Sequence, residues 1–216
     1  MTQLVNKILL VRHGQTDWNM EGRWQGTLPV GLNSEGWEQA RALAAALKGR
    51  PIAAIYSSDL PRAFETATTI GSAVGLVPHT DVRLREFNLG IFQGLTRQEI
   101  EERYPAEWHH FHADYWNYVV EQGESRRALQ QRMHHVFEDV TSRGVGEEVI
   151  FVSHGGAIRM LLLALYPDDA AVRDGHIENT SVTTLERTSA GWRLVTMGDV
   201  EHLRSLSGNR PVADSL

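Results

Sequence analysis

The chain has 216 residues, 42% hydrophobic, 22% charged and 8% aromatic, with 21 basic against 27 acidic side chains, a formal charge of −6 and no cysteine. Without Cys there is no disulfide framework, thiolate nucleophile, iron–sulfur ligation or Cys-containing zinc site. The acidic balance excludes a nucleic-acid coat or a polybasic membrane binder and leaves room only for a local basic pocket. This length suits a single domain over residues 1–216.

The first apolar run, residues 8–11, follows so short an N-terminus that no signal peptide is expected. The longest apolar stretch, residues 157–166, contains Arg159 and falls short of the roughly 20 residues that span a bilayer. A cytoplasmic protein without membrane contact is therefore expected. Residues 8–11 read as a strand buried on both faces, ended by Arg12-His13-Gly14. Asn33 or Ser34 then caps a helix with Trp37, Ala40, Ala44 and Leu47 inward and Gly49 at its end. Residues 53–56 form a second strand, and Ser57-Ser58-Asp59 precede Pro61 and a helix with Ala63, Ala67, Ile70 and Val74 on one face.

Residues 76–92 show little period, whereas 96–103 and 106–120 look helical and hold most of the aromatics, a helical insert at about 95–122 over the core. Ser125 caps a long helix with Leu129, Met133, Val136, Phe137 and Val140 inward. Gly144 and Gly146 lead to a third buried strand at 149–152, and a helix at 157–165 follows Ser153-His154-Gly155-Gly156. Residues 181–187 and 192–197 alternate as a hairpin turning near Ser189-Ala190-Gly191, before a polar tail at about 204–216. No repeat or linker interrupts the chain, and the βαβα order gives an α/β class.

Two segments share one design. Leu10-Val11-Arg12-His13-Gly14 and Phe151-Val152-Ser153-His154-Gly155 each deliver a histidine at the carboxyl end of an apolar strand, where open α/β sheets bind ligands. Free N–H groups of the helix from Ala157 favour an anion in the same crevice. Arg12 and Arg62 add positive charge, and Arg62 stands in the first turn of a helix, where a cation opposes the macrodipole by about 0.3 to 1 kcal/mol. That placement points to an anion gripped between dipole and guanidinium. Glu86 in Leu84-Arg85-Glu86-Phe87 is the carboxylate added to this set.

The stretch Leu10-Val11-Arg12-His13-Gly14-Gln15-Thr16 resembles the signature of the histidine phosphatase superfamily, which contains cofactor-dependent phosphoglycerate mutases and many phosphomonoesterases. The resemblance runs over residues 7–203 through Asn19, Gly22-Arg23-Trp24-Gln25-Gly26, Ser57-Ser58-Asp59-Leu60-Pro61-Arg62-Ala63, Leu84-Arg85-Glu86 with Gly90 and Gly94, Gly123-Glu124-Ser125, Ser153-His154-Gly155-Gly156 and Asn179-Thr180-Ser181. It implies a three-layer α/β sandwich, with a mostly parallel sheet, helices on both faces and the insert over the site. His13 is then the nucleophile that becomes a phosphohistidine, with Arg12, Arg62 and His154 on the phosphoryl oxygens and Glu86 as proton donor. Asn19, Gln25, Gly26 and Gly155 complete the phosphate-binding set. The substrate is a small phosphomonoester, and neither a metal nor a cofactor is implied. His202-Leu203 resembles a late element near the site, while Thr27-Leu28-Pro29-Val30-Gly31-Leu32 departs from the pattern and affects substrate detail.

Glu86-Phe87-Asn88-Leu89-Gly90 resembles the phosphatase form, and residues 106–120 contain no Lys or Arg to hold a second anionic group, so a phosphatase is expected over a mutase. A phospholigand-binding module without turnover is the remaining class. Trp108, Phe111, Tyr115, Trp116 and Tyr118 either cap the pocket or pack the insert on the core. His109, His110, His112, His134 and His135 lack a metal-binding pattern and read as surface residues. An edge strand leaves a homodimer open.

Overall fold

A computed structural model describes residues 4–143 and 146–207. Gly144 and the tail at 208–216 lie outside the described residues. Strand β1 (Lys7–Arg12) leads to a one-turn helix, α1 (Asp17–Met20), then to α2 (Ser34–Leu47), β2 (Ile52–Ser57), α3 (Pro61–Val74) and a two-residue strand, β3 (His79–Thr80). The insert follows as α4 (Arg97–Arg103) and α5 (Pro105–Ala113), and the chain returns through α6 (Arg126–Thr141), β4 (Glu148–Ser153) and α7 (Gly155–Leu165). The short α8 (Ala170–Asp174), the hairpin β5 (Val182–Thr188) and β6 (Gly191–Asp199), and α9 (Arg204–Ser207) complete it.

The strands form one sheet in the order β3-β2-β4-β1-β5-β6, parallel from β3 to β1 and antiparallel from β1 to β6. Both faces of β1 are apolar, as its unbroken hydrophobic run predicts. Leu9 and Val11 join Ile55, Ile150 and Val152 under α2 and α3, and Ile8 and Leu10 join Val149 and Phe151 under α6 and α7. The three-layer architecture follows from this two-sided burial. No helix among the described residues is long and apolar enough to cross a membrane.

Two expectations need correction. The helix predicted over 106–120 stops at Ala113, because the Asp114 carboxylate accepts the Asn117 N–H (3.1 Å) and turns the chain instead. The helix predicted from Ala157 starts at Gly155, with His154 at its N-cap, and its first N–H groups are not free. Gly156 and Ala157 donate to the Glu86 carboxylate, so the anion at this helix end is a side chain of the protein.

The loop after His13 passes directly over the start of α2. A Cβ on Gly36 would stand 2.1 Å from the Gln15 carbonyl oxygen. Replacing a helical glycine with alanine ordinarily stabilises by about 0.5 to 1 kcal/mol. Gly36→Ala is expected to reverse that sign and cost roughly 1 to 3 kcal/mol, as overpacked sites do. A urea midpoint equal to or above that of the parent would contradict this contact.

Candidate active site

The site exists because β1 and β4 are neighbours in parallel register. Arg12 lies opposite Ser153, so the next residue of each strand is a histidine. Strands lie about 4.8 Å apart, and the ring centroids of His13 and His154 are 5.1 Å apart. On the other side of β4 stands β2, whose continuation into α3 brings Arg62 over the same strand ends. Arg12, His13 and Arg62 share a cavity of about 270 Å³ with Asn19, Gln25, Gly26, Glu86 and Gly156. Gly155 flanks it beside Arg12, and His154 stacks obliquely against His13 below.

The protonation pattern of His13 follows from its partners. Nδ1 is 2.7 Å from the Gly14 carbonyl oxygen, which can only accept, and Nε2 is 3.3 Å from Arg62 Nε, which can only donate. The ring therefore carries its proton on Nδ1 and presents a lone pair at Nε2. Burial, followed by the charges of Arg62 and Arg12, holds its pKa well below 6.5, so the ring is neutral. His154 is likewise pushed well below 6.5, chiefly by burial and then by Arg62. Its Nε2 lies 2.9 Å from Ser58 Oγ, while Nδ1 is buried without a partner among the described residues.

Arg62 is 1% exposed, in the first turn of α3, and its guanidinium is fixed by two backbone carbonyls of the loop before α2. Nη1 donates to the Leu28 carbonyl (3.0 Å) and Nη2 to that of Gly26 (2.7 Å). Gly26 has φ +52, and a Cβ there would stand 2.1 Å from Gln93 Oε1, so this position is reserved for glycine. Burial lowers the pKa of Arg62 to about 10, so the side chain stays cationic at neutral pH. Arg12 donates from Nη1 to the Ile177 carbonyl (2.7 Å), leaving a buried Nε without a partner. Gln25 Oε1 is a further unpartnered buried atom in the cavity wall.

Glu86 sits on a segment without regular structure, and three elements, β4, α6 and α7, hold it. Its carboxylate accepts from the backbone N–H groups of Phe87 (2.8 Å), Gly156 (3.0 Å) and Ala157 (2.9 Å). Behind it, Ser153 Oγ donates to the Leu84 carbonyl, and Arg132 of α6 donates to the carbonyls of Arg83, Arg85 and Glu86 while pairing with Glu124 at 2.7 Å. Sequence reasoning missed Arg132. Its signal was an arginine on the apolar face of α6, three residues after Leu129 and four before Val136.

Asn179 and Thr180 hold the other side of β1. Asn179 Nδ2 donates to the His13 carbonyl (3.0 Å) and to Asn19 Oδ1 (3.3 Å), and the Thr180 N–H donates to the Arg12 carbonyl (3.0 Å). Thr180 adopts φ 56, a left-handed conformation that is costly for a β-branched residue. Its hydroxyl meets His202 Nε2 at 3.1 Å, so His202 braces the His13 loop but does not line the cavity.

Of the aromatic insert, Phe111 alone among the five rings named from sequence lines this cavity. Trp108 packs on Trp24 and Phe92, and Tyr118 bonds the Glu107 carboxylate. The insert is mainly a packing element, with Phe87, Leu89, Trp24 and Phe111 as the apolar wall. Residues 106–120 contain no Lys or Arg, yet the cavity does carry Arg23 and Arg126, from outside that stretch. Among the described residues, no group of three or more His, Asp or Glu side chains could hold a metal ion.

Residues 8–200 match the family model of the histidine phosphatase superfamily, branch 1. The chain is 38% identical over 201 residues to phosphoglycerate mutase-like protein 4 of Arabidopsis thaliana, covering 91% of this chain and 86% of that one. It is 35% identical over 206 residues to the metal-independent phosphoserine phosphatase of the same plant, covering 94% and 85%. The structure of mycobacterial glucosyl-3-phosphoglycerate phosphatase complexed with VO3 superposes with a TM-score of 0.79 at 34% identity, over 90% of this chain and all of that one. With two strand-end histidines, buried arginines and a carboxylate meeting over one sheet edge, the chain belongs to the histidine phosphatase superfamily, branch 1.

Proposed function

We propose that the protein is a metal-independent phosphatase that hydrolyses small phosphomonoesters through a phosphohistidine on His13. The observation that carries this reading is the His13 ring, neutral, with its proton spent on Gly14 and its Nε2 lone pair facing Arg62 beside the cavity. Relatives with this architecture include a metal-independent phosphoserine phosphatase and a glucosyl-3-phosphoglycerate phosphatase. A cavity of about 270 Å³, at the small end for ligand sites, suits a short alcohol.

In the first half-reaction, Arg62 Nε passes its hydrogen bond from His13 Nε2 to a phosphoryl oxygen, the freed Nε2 lone pair attacks phosphorus in line, the ester P–O bond breaks, and Glu86 as the acid gives its proton to the leaving oxygen. In the second, Glu86 as the carboxylate takes a proton from water. The resulting hydroxide attacks phosphorus, and the P–N bond breaks to return the lone pair to Nε2 and release inorganic phosphate. Arg12, Arg62 and His154 bind the phosphoryl oxygens, and the buried, unpartnered Arg12 Nε and His154 Nδ1 support that role, Nδ1 being a donor when the Ser58 hydroxyl donates to Nε2. Asn19, Gln25, Gly26 and Gly155 shape the phosphate end, Gly26 through the Arg62 guanidinium that its carbonyl holds.

Phosphate release from a panel of monoesters in EDTA is expected for the parent protein and absent for His13→Ala. Equal rates for the two would overturn the covalent route. Interconversion of 2- and 3-phosphoglycerate without release would replace hydrolysis by mutase chemistry.

Glu86→Gln is expected to slow turnover by about 10² to 10⁴, the usual range for a lost proton-transfer group. A smaller loss, read from kcat on an ester with a poor leaving group, would place the acid elsewhere.

His13 and His154 are buried neutral, with pKa values below the 6.5 of the unfolded chain, so the unfolded state binds more protons as the pH drops. Stability is therefore fully present above about pH 6.5 and lost below it, by at most about 1.4 kcal/mol per pH unit for each histidine. Urea midpoints that stay level from pH 7 to pH 5 would contradict this. Activity follows the same sign, with an acid limb well below pH 6.5.

A further inference from the structure

Arg126 is the one cavity-lining arginine that the phosphoryl chemistry above does not use and that no carboxylate pairs with among the described residues. Arg23 also lines the cavity, but Glu21 and Glu99 each hold it at 2.7 Å. Arg126 is half-buried in the first turn of the 16-residue α6, where a cation opposes the helix macrodipole. Its guanidinium carbon lies 3.9 Å from the Phe111 ring centroid and 4.0 Å from that of Tyr115. Nη1 donates to the carbonyls of Phe111 (3.2 Å) and Tyr115 (2.8 Å). Nε and Nη2 remain without a hydrogen bond among the described residues, and together they form the guanidinium edge that binds a carboxylate in two-point fashion. Burial lowers its pKa, which fits a cation stripped of water without a countercharge.

The charges in the cavity give this edge a purpose. A phosphomonoester dianion is matched by Arg12 and Arg62, and Arg23 already has its glutamates. Arg126 is then the cavity arginine without a countercharge of its own among the described residues. A monoanion on the alcohol supplies the missing partner, and ring faces on Arg126 keep the fork rigid before it binds.

Resting on the phosphatase reading of the same cavity, we infer that Arg126 is a specificity residue that pairs with a carboxylate on the alcohol of the substrate. The enzyme therefore acts on phosphorylated hydroxy acids in preference to their uncharged counterparts. The bland alternative is that Arg126 only clamps the insert to α6, through the two carbonyls and the aromatic rings.

Matched substrates separate the two. The parent protein, Arg126→Gln and Arg126→Lys are compared by kcat/KM on 3-phosphoglycerate against glycerol 3-phosphate, and on O-phosphoserine against phosphoethanolamine. In at least one pair the parent is expected to prefer the carboxylate member. Arg126→Gln should lower that preference by roughly 10- to 100-fold, the usual worth of a charge-assisted bond, mostly through KM, and Arg126→Lys should keep part of it. Equal loss on both members of each pair would reduce Arg126 to a clamp, and an unchanged preference would remove it from recognition; either overturns the inference. A parent that hydrolyses both members equally also overturns it while leaving the phosphatase reading intact. Release of phosphate from none of these esters nor from p-nitrophenyl phosphate would fell the phosphatase reading itself, and this inference with it.

Discussion

An imidazole has one proton to place and one lone pair to offer, and the neighbours of His13 decide both. The Gly14 carbonyl accepts from the protonated Nδ1 and Arg62 Nε faces the Nε2 lone pair, so the tautomer is set by the ground-state structure. The rest of the molecule can be understood as what holds those two bonds in line. Asn179 fixes the His13 carbonyl, the Thr66 hydroxyl accepts the Gly14 N–H, and the carbonyls of Gly26 and Leu28 aim Arg62. A misplaced Arg62 would leave a buried lone pair without its donor.

Placing arginines and neutral histidines together under low exposure is expensive, and the fold spreads the cost. Arg62 is satisfied by backbone carbonyls, which supply dipole without net negative charge. That choice keeps the positive field available to a ligand, whereas a carboxylate partner would cancel it. Arg23 shows the contrast: it lines the same cavity, but its two glutamates neutralise it. Preorganised charge of this kind needs no rearrangement when phosphate develops charge in transfer.

Much of this was legible in the chain. The buried run at 8–11, its twin at 149–152 and the histidine after each strand gave the sheet and the site together, because strands buried on both faces read as unbroken apolar runs. The capping residues Asn33 and Ser125 marked real helix starts. What escaped was set by tertiary contact. The end of α5 depends on a local Asx turn competing with the helix, and the anion at the start of α7 is a side chain about 70 positions earlier in the chain. Arg126 and Arg132 lie on the apolar face of α6 with Leu129 and Met133, yet a periodicity reading that counts only hydrophobic residues passes over them. Cations on a buried stripe were the available clue.

The segment that carries Glu86 has no ladder of its own, yet its carbonyls and carboxylate are closed by Ser153, Arg132 and the first turn of α7. Loops ordinarily occupy the low end of the local-stability scale and exchange their amide protons readily. This one cannot open without breaking its bonds to Ser153 of β4, to Arg132 of α6 and to the first turn of α7, so its opening is coupled to three elements of the core. It is a coil by shape whose position is set by the core around it.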